Sequence, residues 1–376
     1  MKKLFARSIY LDNAATTRFK PHAGIRAVTR ELARSANGGR GSHADSLRAA
    51  TVVEECRLRA SSLTGKKQIV FTKNCTEAIN LALFGMDLSG EVVTSVLEHN
   101  SVLRPLAELS ARGKITLRFV APNAKGVITA DAVARVIKKN TSLVALSEMS
   151  NVTGAAHEIP AIASLCAGQN IKLLVDTAQS LGHLRTDYKG VTFVCASGHK
   201  GLLGPQGTGF LATDGAVSLS PLMFGGTGSF SAEKAQPRHF PEGYEAGTLN
   251  TPGIAGLSEG IKYIQKNDDY PILCDMVKDV HNSVKTVKRV TIYSSSEPHS
   301  SIFSFNIGDM PSSAVADILN TKYRIAVRAG LHCAPKLHEY YGTLRQGIVR
   351  ASFGACNTEK DVHMLIHAII TLAKGK

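Results

Sequence analysis

Between Gln68 and Val175 the chain alternates short apolar runs with segments of helical spacing, and no other property restricts its fold as much. Gln68–Thr72, Glu91–Leu97, Ile115–Val120, Leu143–Ser147 and Ile171–Val175 read as strands. Between them Thr76–Met86, Ser101–Arg112, Thr129–Lys139 and Ile159–Gly168 read as helices. A helix between successive strands returns the chain to the same end of the sheet, so the strands lie parallel and both sheet faces become covered. The expected class is α/β, with a mainly parallel, doubly wound sheet. Val191–Cys195 and Gly207–Ala212 follow with no helix between them, which predicts a hairpin and one antiparallel strand.

Before this block, Pro21–Arg34 and Ser46–Leu63 have helical spacing, separated by a Gly/Ser loop at Asn37–Ser42; the second stops near Gly65. After it, Leu222–Gly247 is long, irregular and rich in Gly, Pro and Ser, a composition more often functional than idle. Thr251–Gln265 reads as a long helix leading to a second domain. From Tyr270 the pattern becomes α+β: a helix, strands near Val290–Tyr293 and Ser301–Asn306, a helix at Ser313–Leu319, strands at Ile325–Arg328 and Ile348–Ser352, and a last helix from Glu359.

With 376 residues, 44% of them hydrophobic, the chain has ample material for a globular core. MKKLFARSIYLDN starts basic but lacks the apolar run of an export signal, and no segment reaches the about 18–20 apolar residues of a membrane span. A cytoplasmic protein with no membrane association is expected. Seven scattered cysteines without a CxxC pair argue against a disulfide framework or a zinc ribbon, and no metal is expected. The net charge is +14, and residues 1–70 hold 14 Lys/Arg against 5 Asp/Glu. No aromatic interleaving accompanies that excess, so it reads as a solvated basic face, with no nucleic-acid partner.

The chemistry concentrates at predicted strand ends, the rim where open α/β sheets hold ligands. Asp176 closes one strand and Ser197–Gly198–His199–Lys200 closes the next. A lysine so placed can form a Schiff base with a carbonyl cofactor, and the aspartate can pair with a pyridinium nitrogen. In FTKNCTEAIN a strand turns into a helix at Cys75 and Thr76, whose amides suit a phosphate, although Thr76 could equally be an ordinary N-cap. Ser197 and His199 are further phosphate donors. His99 ends another strand and can stack on a planar ring or merely cap a helix. Asn151 and Gln179 are neutral donors at the same rim. In RAGLHCAP, Cys333 lies beside His332 and five residues past Arg328, where positive neighbours would favour the thiolate. The other six cysteines read as structural. Arg350 suits bidentate capture of a carboxylate.

Taken in order, YLDNAATT, FTKNCTEAIN, the EH of LEHNSVLRP, SNVTG, VDTAQS, SGHKGLLGPQGTGFL, YEAGTLNTPG, RAGLHCAP and VRASFGACNTEKDV resemble the class V aminotransferase-type, pyridoxal-phosphate enzymes. Within them the likeness is to the cysteine desulfurase and selenocysteine lyase group. The RxGxHCA wording is similar to the group II branch, in which a short loop presents the cysteine. The resemblance implies fold type I: a large domain, 14–250, with a seven-stranded sheet, and a small α+β domain from 1–13 and 251–376. It implies that Lys200 carries pyridoxal 5'-phosphate, Asp176 holds the ring nitrogen, Gln179 bonds the phenolic oxygen and His99 stacks on the ring as acid/base. Cys75, Thr76, Ser197 and His199 would hold the phosphate, with Thr248 coming from the second subunit of a homodimer. Arg350, Asn151, Arg328, Asn13 and Ala14 would take the substrate, L-cysteine or L-selenocysteine. Cys333 would take the sulfur and pass it to an acceptor protein, for iron–sulfur cluster assembly or thio-modification. Two places depart from the pattern: Cys75 stands where a small or hydroxylated residue is usual, and Phe224–Phe240 matches poorly. His43 resembles a histidine near the group II active site.

Overall fold

The computed structural model describes residues 8–39, 41–229, 231–295 and 300–375. The basic start of the chain, residues 1–7, therefore lies outside the described residues. A two-residue strand β1 (Ile9–Tyr10) precedes helices α1 (His22–Ala33) and α2 (Ala44–Thr64), and Gly65, at φ 67°, ends α2 in the left-handed conformation. The alternating block follows as β2 (Gln68–Thr72), α3 (Cys75–Gly85), β3 (Glu91–Ser95), α4 (Asn100–Ala111), β4 (Thr116–Val120), α5 (Ala130–Val136), β5 (Thr141–Ser147), α6 (Ile159–Gly168) and β6 (Lys172–Asp176). The hairpin strands are β7 (Phe193–Ser197) and β8 (Gly209–Thr213).

These seven strands form one sheet in the order β2-β8-β7-β6-β5-β3-β4. β8 alone runs against its neighbours, pairing antiparallel with both β7 and β2. The expected hairpin and single reversed strand are thus present. β5 to β8 are almost wholly buried, which explains their near-continuous Val, Leu, Ala and Phe runs. Alternate side chains serve two cores: Val144, Leu173, Val194 and Phe210 pack under α2, α5, α6 and the helix α7 (Thr251–Lys266). Leu143, Leu174, Phe193 and Leu211 face α3 and α4.

The described residues of Leu222–Gly247 are irregular except for one 3-10 turn, Glu242–Tyr244. The rest of the chain comprises α8 (Tyr270–Val284), β9 (Val290–Ile292), β10 (Ile302–Ile307), α9 (Ser312–Tyr323), β11 (Ile325–Ala326), β12 (Arg328–Gly330), α10 (Pro335–Tyr340), β13 (Ile348–Ser352) and α11 (Glu359–Ala373). Its four-stranded antiparallel sheet, β12-β13-β10-β9, packs Phe303, Phe305 and Val349 against α8, α9 and α11. The single strand expected at Ile325–Arg328 is in fact two. Ile325–Ala326 pairs parallel with β1, whereas Arg328–Gly330 pairs antiparallel with β13. The switch of partner at Val327 lets one extended run join the N-terminal strand to the second sheet. Helix α10 had no periodic signal because it spans six residues. Among the described residues no helix is long and apolar enough to cross a membrane.

Candidate active site

Strands β5, β6 and β7 end at Ser147, Asp176 and Ser197, and the turns after β2 and β3 bring Cys75–Thr76 and His99–Ser101 to the same rim. With Lys200, Gln179, Ala14, Asn151, Arg328, His332 and Arg350 they line a cavity of about 250 Å³. The carboxyl ends of the parallel strands are therefore the ligand-facing side.

Asp176 is buried, and its Oδ1 accepts the Ala178 amide at 2.9 Å and the Cys75 thiol at 3.2 Å. Lys200 lies in the connection between β7 and β8, just after β7 ends. Burial lowers its ammonium from the ordinary value, against the pull of Asp176, with Arg350 adding to the lowering. Gln179 donates through Nε2 to Ala14 O at 3.0 Å, which fixes the amide beside the cavity.

Asn74, not Thr76, caps α3: its Oδ1 accepts the Glu77 amide at 2.9 Å. Thr76 is thus released from capping, and its hydroxyl lies 2.7 Å from Ser101 Oγ. His99 does cap α4, accepting the Ser101 amide on Nδ1 at 3.1 Å, while its ring lines the cavity. It is both the cap and a cavity residue. Burial, opposed by Asp176 and aided by Lys200, Arg328 and Arg350, holds its pKa down at about 4. At neutral pH the ring is neutral, with its proton on Nε2. His199 is likewise pushed down to about 4, by burial and then by Lys200 and Lys20.

The other wall comes from the C-terminal sheet. Arg350, 1% exposed, donates from Nη1 to Asn151 O at 2.9 Å and from Nη2 to Asp12 Oδ1 at 3.0 Å. Asn151 Nδ2 in turn donates to His332 O at 2.8 Å. His332 and Cys333 have φ of 48° and 58°, a left-handed pair that turns the chain sharply. Cys333 O accepts the Asn100 amide at 2.7 Å, next to His99, and the Cys333 side chain is exposed. The expectation that His332 supplies positive charge to Cys333 is corrected: burial, then Arg350, push its pKa down to about 3, so it is neutral. Arg328, on β12 just before that loop, places a cation on the cavity wall.

Three sequence candidates do not line this cavity, although Asn13 lines an adjoining pocket that shares Ala14, Gln179 and Lys200 with it. Asn13 spends its Nδ2 on Ser352 O at 2.9 Å and its Oδ1 on the Arg18 amide at 3.1 Å. Thr248 is exposed and lines a separate cleft with Gly207, Thr208 and Lys73. His43 is exposed and caps α2, accepting the Ser46 amide on Nδ1 at 3.3 Å. Of the cysteines read as structural, Cys56, Cys75, Cys166 and Cys195 are buried, but Cys356 is exposed. Sequence reasoning missed Ser101, which joins His99 to Thr76, and Asp12, which holds Arg350. It also gave no role to Glu98, a fully buried carboxyl that takes the Ser95 hydroxyl and the Ser147 amide. Ser101 stood two residues past His99 at a helix start, where a hydroxyl commonly bonds a ligand or a cap.

Among the described residues eight buried side-chain polar atoms lack a partner, and four of them, on Ser147, His199, His332 and Arg350, belong to residues lining this cavity. Native folds leave few such groups. Their concentration here, beside the first-turn amides of Cys75 and Thr76, which have no helical carbonyl of their own to bond, fits a polar, phosphorylated ring between Asp176 and His99.

Comparison with known proteins agrees. The model of the aminotransferase class-V family matches residues 9–365. A probable cysteine desulfurase of Methanothermobacter thermautotrophicus is 34% identical over 377 residues, covering 95% of this chain and 92% of that protein. The apo structure of a cysteine desulfurase from Thermococcus onnurineus superposes with a TM-score of 0.90 at 31% identity, covering 98% of this chain and 95% of that one. The S-sulfonic acid form of a cysteine desulfurase from Escherichia coli gives 0.86 at 26% identity, with coverage of 98% and 95%. The fold is that of the fold type I enzymes, and the family is pyridoxal-phosphate dependent. This chain belongs to the class-V aminotransferase family, on its cysteine desulfurase branch.

Proposed function

We propose that the protein is a pyridoxal-phosphate-dependent cysteine desulfurase in which Cys333 takes sulfur from L-cysteine and L-alanine is released. The carrying observation is that the Cys333 loop docks on the His99 turn, through the Asn100 amide and Cys333 O, at the edge of a cavity holding Lys200, Asp176 and Arg350. Pyridoxal phosphate, when bound, supplies the electron sink that loosens the substrate's α-proton and its carbon–sulfur bond.

The chain's residues divide the remaining work. Asp176 Oδ2 would face the ring nitrogen, Gln179 the phenolic oxygen and the His99 ring one face. Thr76, Ser197, His199 and the amides of Cys75 and Thr76 would hold the phosphate. Lys200, its amine made easier to deprotonate by burial, would hold the cofactor and then move the α-proton. Arg350, fixed by Asp12 and Asn151, would receive the substrate carboxylate, with Arg328 nearby. The Cys333 thiolate attacks the substrate sulfur: an S–S bond forms, the C–S bond breaks and its electron pair stays on carbon, which takes up one proton to become the methyl group of alanine, while the α-carbon regains the proton it had lost. The persulfide on Cys333 passes to an acceptor protein, for which the exposed loop is suited.

A homodimer, working in the cytoplasm, completes the reading. Thr248 is exposed and away from this chain's own cavity, as a residue lent to a second subunit would be. The test uses the holoenzyme with L-cysteine. Cys333→Ala is expected to keep the visible cofactor band and to lose both the protein persulfide and alanine release, whereas Lys200→Ala loses the band itself. Alanine and sulfide release by Cys333→Ala at the wild-type rate would overturn the assignment.

A further inference from the structure

Asp176 is held from one side. Its Oδ1 takes the Ala178 amide and the Cys75 thiol, and no described residue bonds Oδ2, although Asp176 lines the cavity. The thiol hydrogen has two acceptors at 3.2 Å, Asp176 Oδ1 and Cys195 O. Cys195 O already accepts the Thr177 amide and the Thr177 hydroxyl, each at 2.9 Å. The charged Oδ1 is therefore the better acceptor. Burial first, and then Asp176, hold the thiol well above its ordinary pKa, so it keeps its hydrogen across the working range. A thiol is a weak donor. It can fix the rotation of a carboxylate while draining little of its negative charge, which a hydroxyl in the same place would drain further.

We propose that Cys75 is a positioning residue for Asp176: its thiol anchors Oδ1, so that Oδ2 is presented to the cofactor's ring nitrogen with nearly its full charge. The inference rests on the reading of Asp176 as the ring-nitrogen partner. The backbone amide of Cys75 serves the phosphate whatever its side chain, so the side chain carries a separate role. Besides Cys75, the groups that feel the charge of Asp176 are Lys200, Glu98, His99 and Cys195, and Arg328 and Arg350 share its cavity; a Cys75 substitution removes none of them.

The experiment compares wild-type, Cys75→Ala and Cys75→Ser holoenzymes by pH titration of the visible cofactor band, by its induced circular dichroism and by thermal unfolding. Alanine removes the donor and leaves more charge on Asp176, which favours the cationic form of the cofactor–lysine linkage. Its apparent pKa should rise slightly, by about 0.2–0.5 unit, with reduced dichroism. Serine, the stronger donor, should lower that pKa and retain the dichroism. Shifts of the same sign, or titrations that superpose on the wild type while the melting temperature falls, would mean the thiol only fills space. Asp176→Asn is the control for the underlying reading: if it titrates as the wild type does, Asp176 is not the ring partner and the reading fails before Cys75 is reached.

Discussion

Replacing Glu98 with Gln probes a proton stored under the cavity floor. Glu98 is fully buried; its Oε1 takes the Ser95 hydroxyl at 2.5 Å and its Oε2 the Ser147 amide at 2.7 Å. Burial, opposed by the Ser95 bond and reinforced by Asp176, pushes its pKa up from 4.5 to about 8. From pH 4.5 to about 8 the folded chain keeps a proton that the unfolded chain has released. Glu98 therefore costs stability progressively as pH rises through that window, and nothing below it. At 1.36 kcal/mol per unit the full window amounts to at most about 5 kcal/mol. Glutamine has the shape of the protonated acid, can still accept from Ser147 and can donate to Ser95 Oγ, but does not titrate. Glu98→Gln should match the wild type near pH 5 and exceed it at pH 8.5. The assay is denaturant unfolding of the two holoenzymes at pH 5.5, 7 and 8.5, reading the difference between midpoints, which cancels the titrating groups that are not coupled to Glu98. A deficit of the same size at all three pH values would refute the reasoning, because it would mean that the folded site needs the charged carboxylate.

Acid should act through the imidazoles. His157, buried with its Nδ1 on the Ile128 amide, is held down at about 4 by burial, so its contribution is present above pH 6.5 and is lost as pH falls toward 4. His157→Gln should flatten the fall in melting temperature across that window relative to the wild type. Arg350→Lys keeps the charge but loses the fork that reaches both Asp12 and Asn151. The Michaelis constant for L-cysteine should rise about tenfold or more with the cofactor band unchanged, and an unaltered constant would remove Arg350 from carboxylate binding. At Gly198 an added Cβ would lie 2.1 Å from Thr208 Oγ1 across the hairpin that carries Lys200. Gly198→Ala should cost about 2 kcal/mol or more and weaken cofactor retention, measured by band loss on dialysis.

The large sheet was legible because its strands are buried on both faces. Runs such as Leu143–Ser147 and Leu173–Val175 admit little else, and the positions of Asp176 and Ser197 at strand ends, with His99 and Lys200 in the turns just beyond, follow directly. What the sequence conceals is who meets whom. Asp12 holds Arg350 across 338 positions, and Cys75 reaches Asp176 across 101. No local pattern encodes either bond. The division at Val327 was hidden because the extended pattern continues while the pairing partner changes. His332 misled for a related reason: a histidine beside a cysteine suggests a cation, but burial removes its charge, and burial is a property of the finished fold.

The docking of the Cys333 loop has an observable consequence. The Asn100 amide is the first residue of α4, with no helical carbonyl available to it, and its partner is Cys333 O. Its hydrogen exchange with solvent is thus governed by how often the Cys333 turn lifts from the large sheet. That one amide is a native gauge of the loop, readable by deuterium uptake without any label, and its protection factor measures the fraction of time the Cys333 turn is held at the cavity edge.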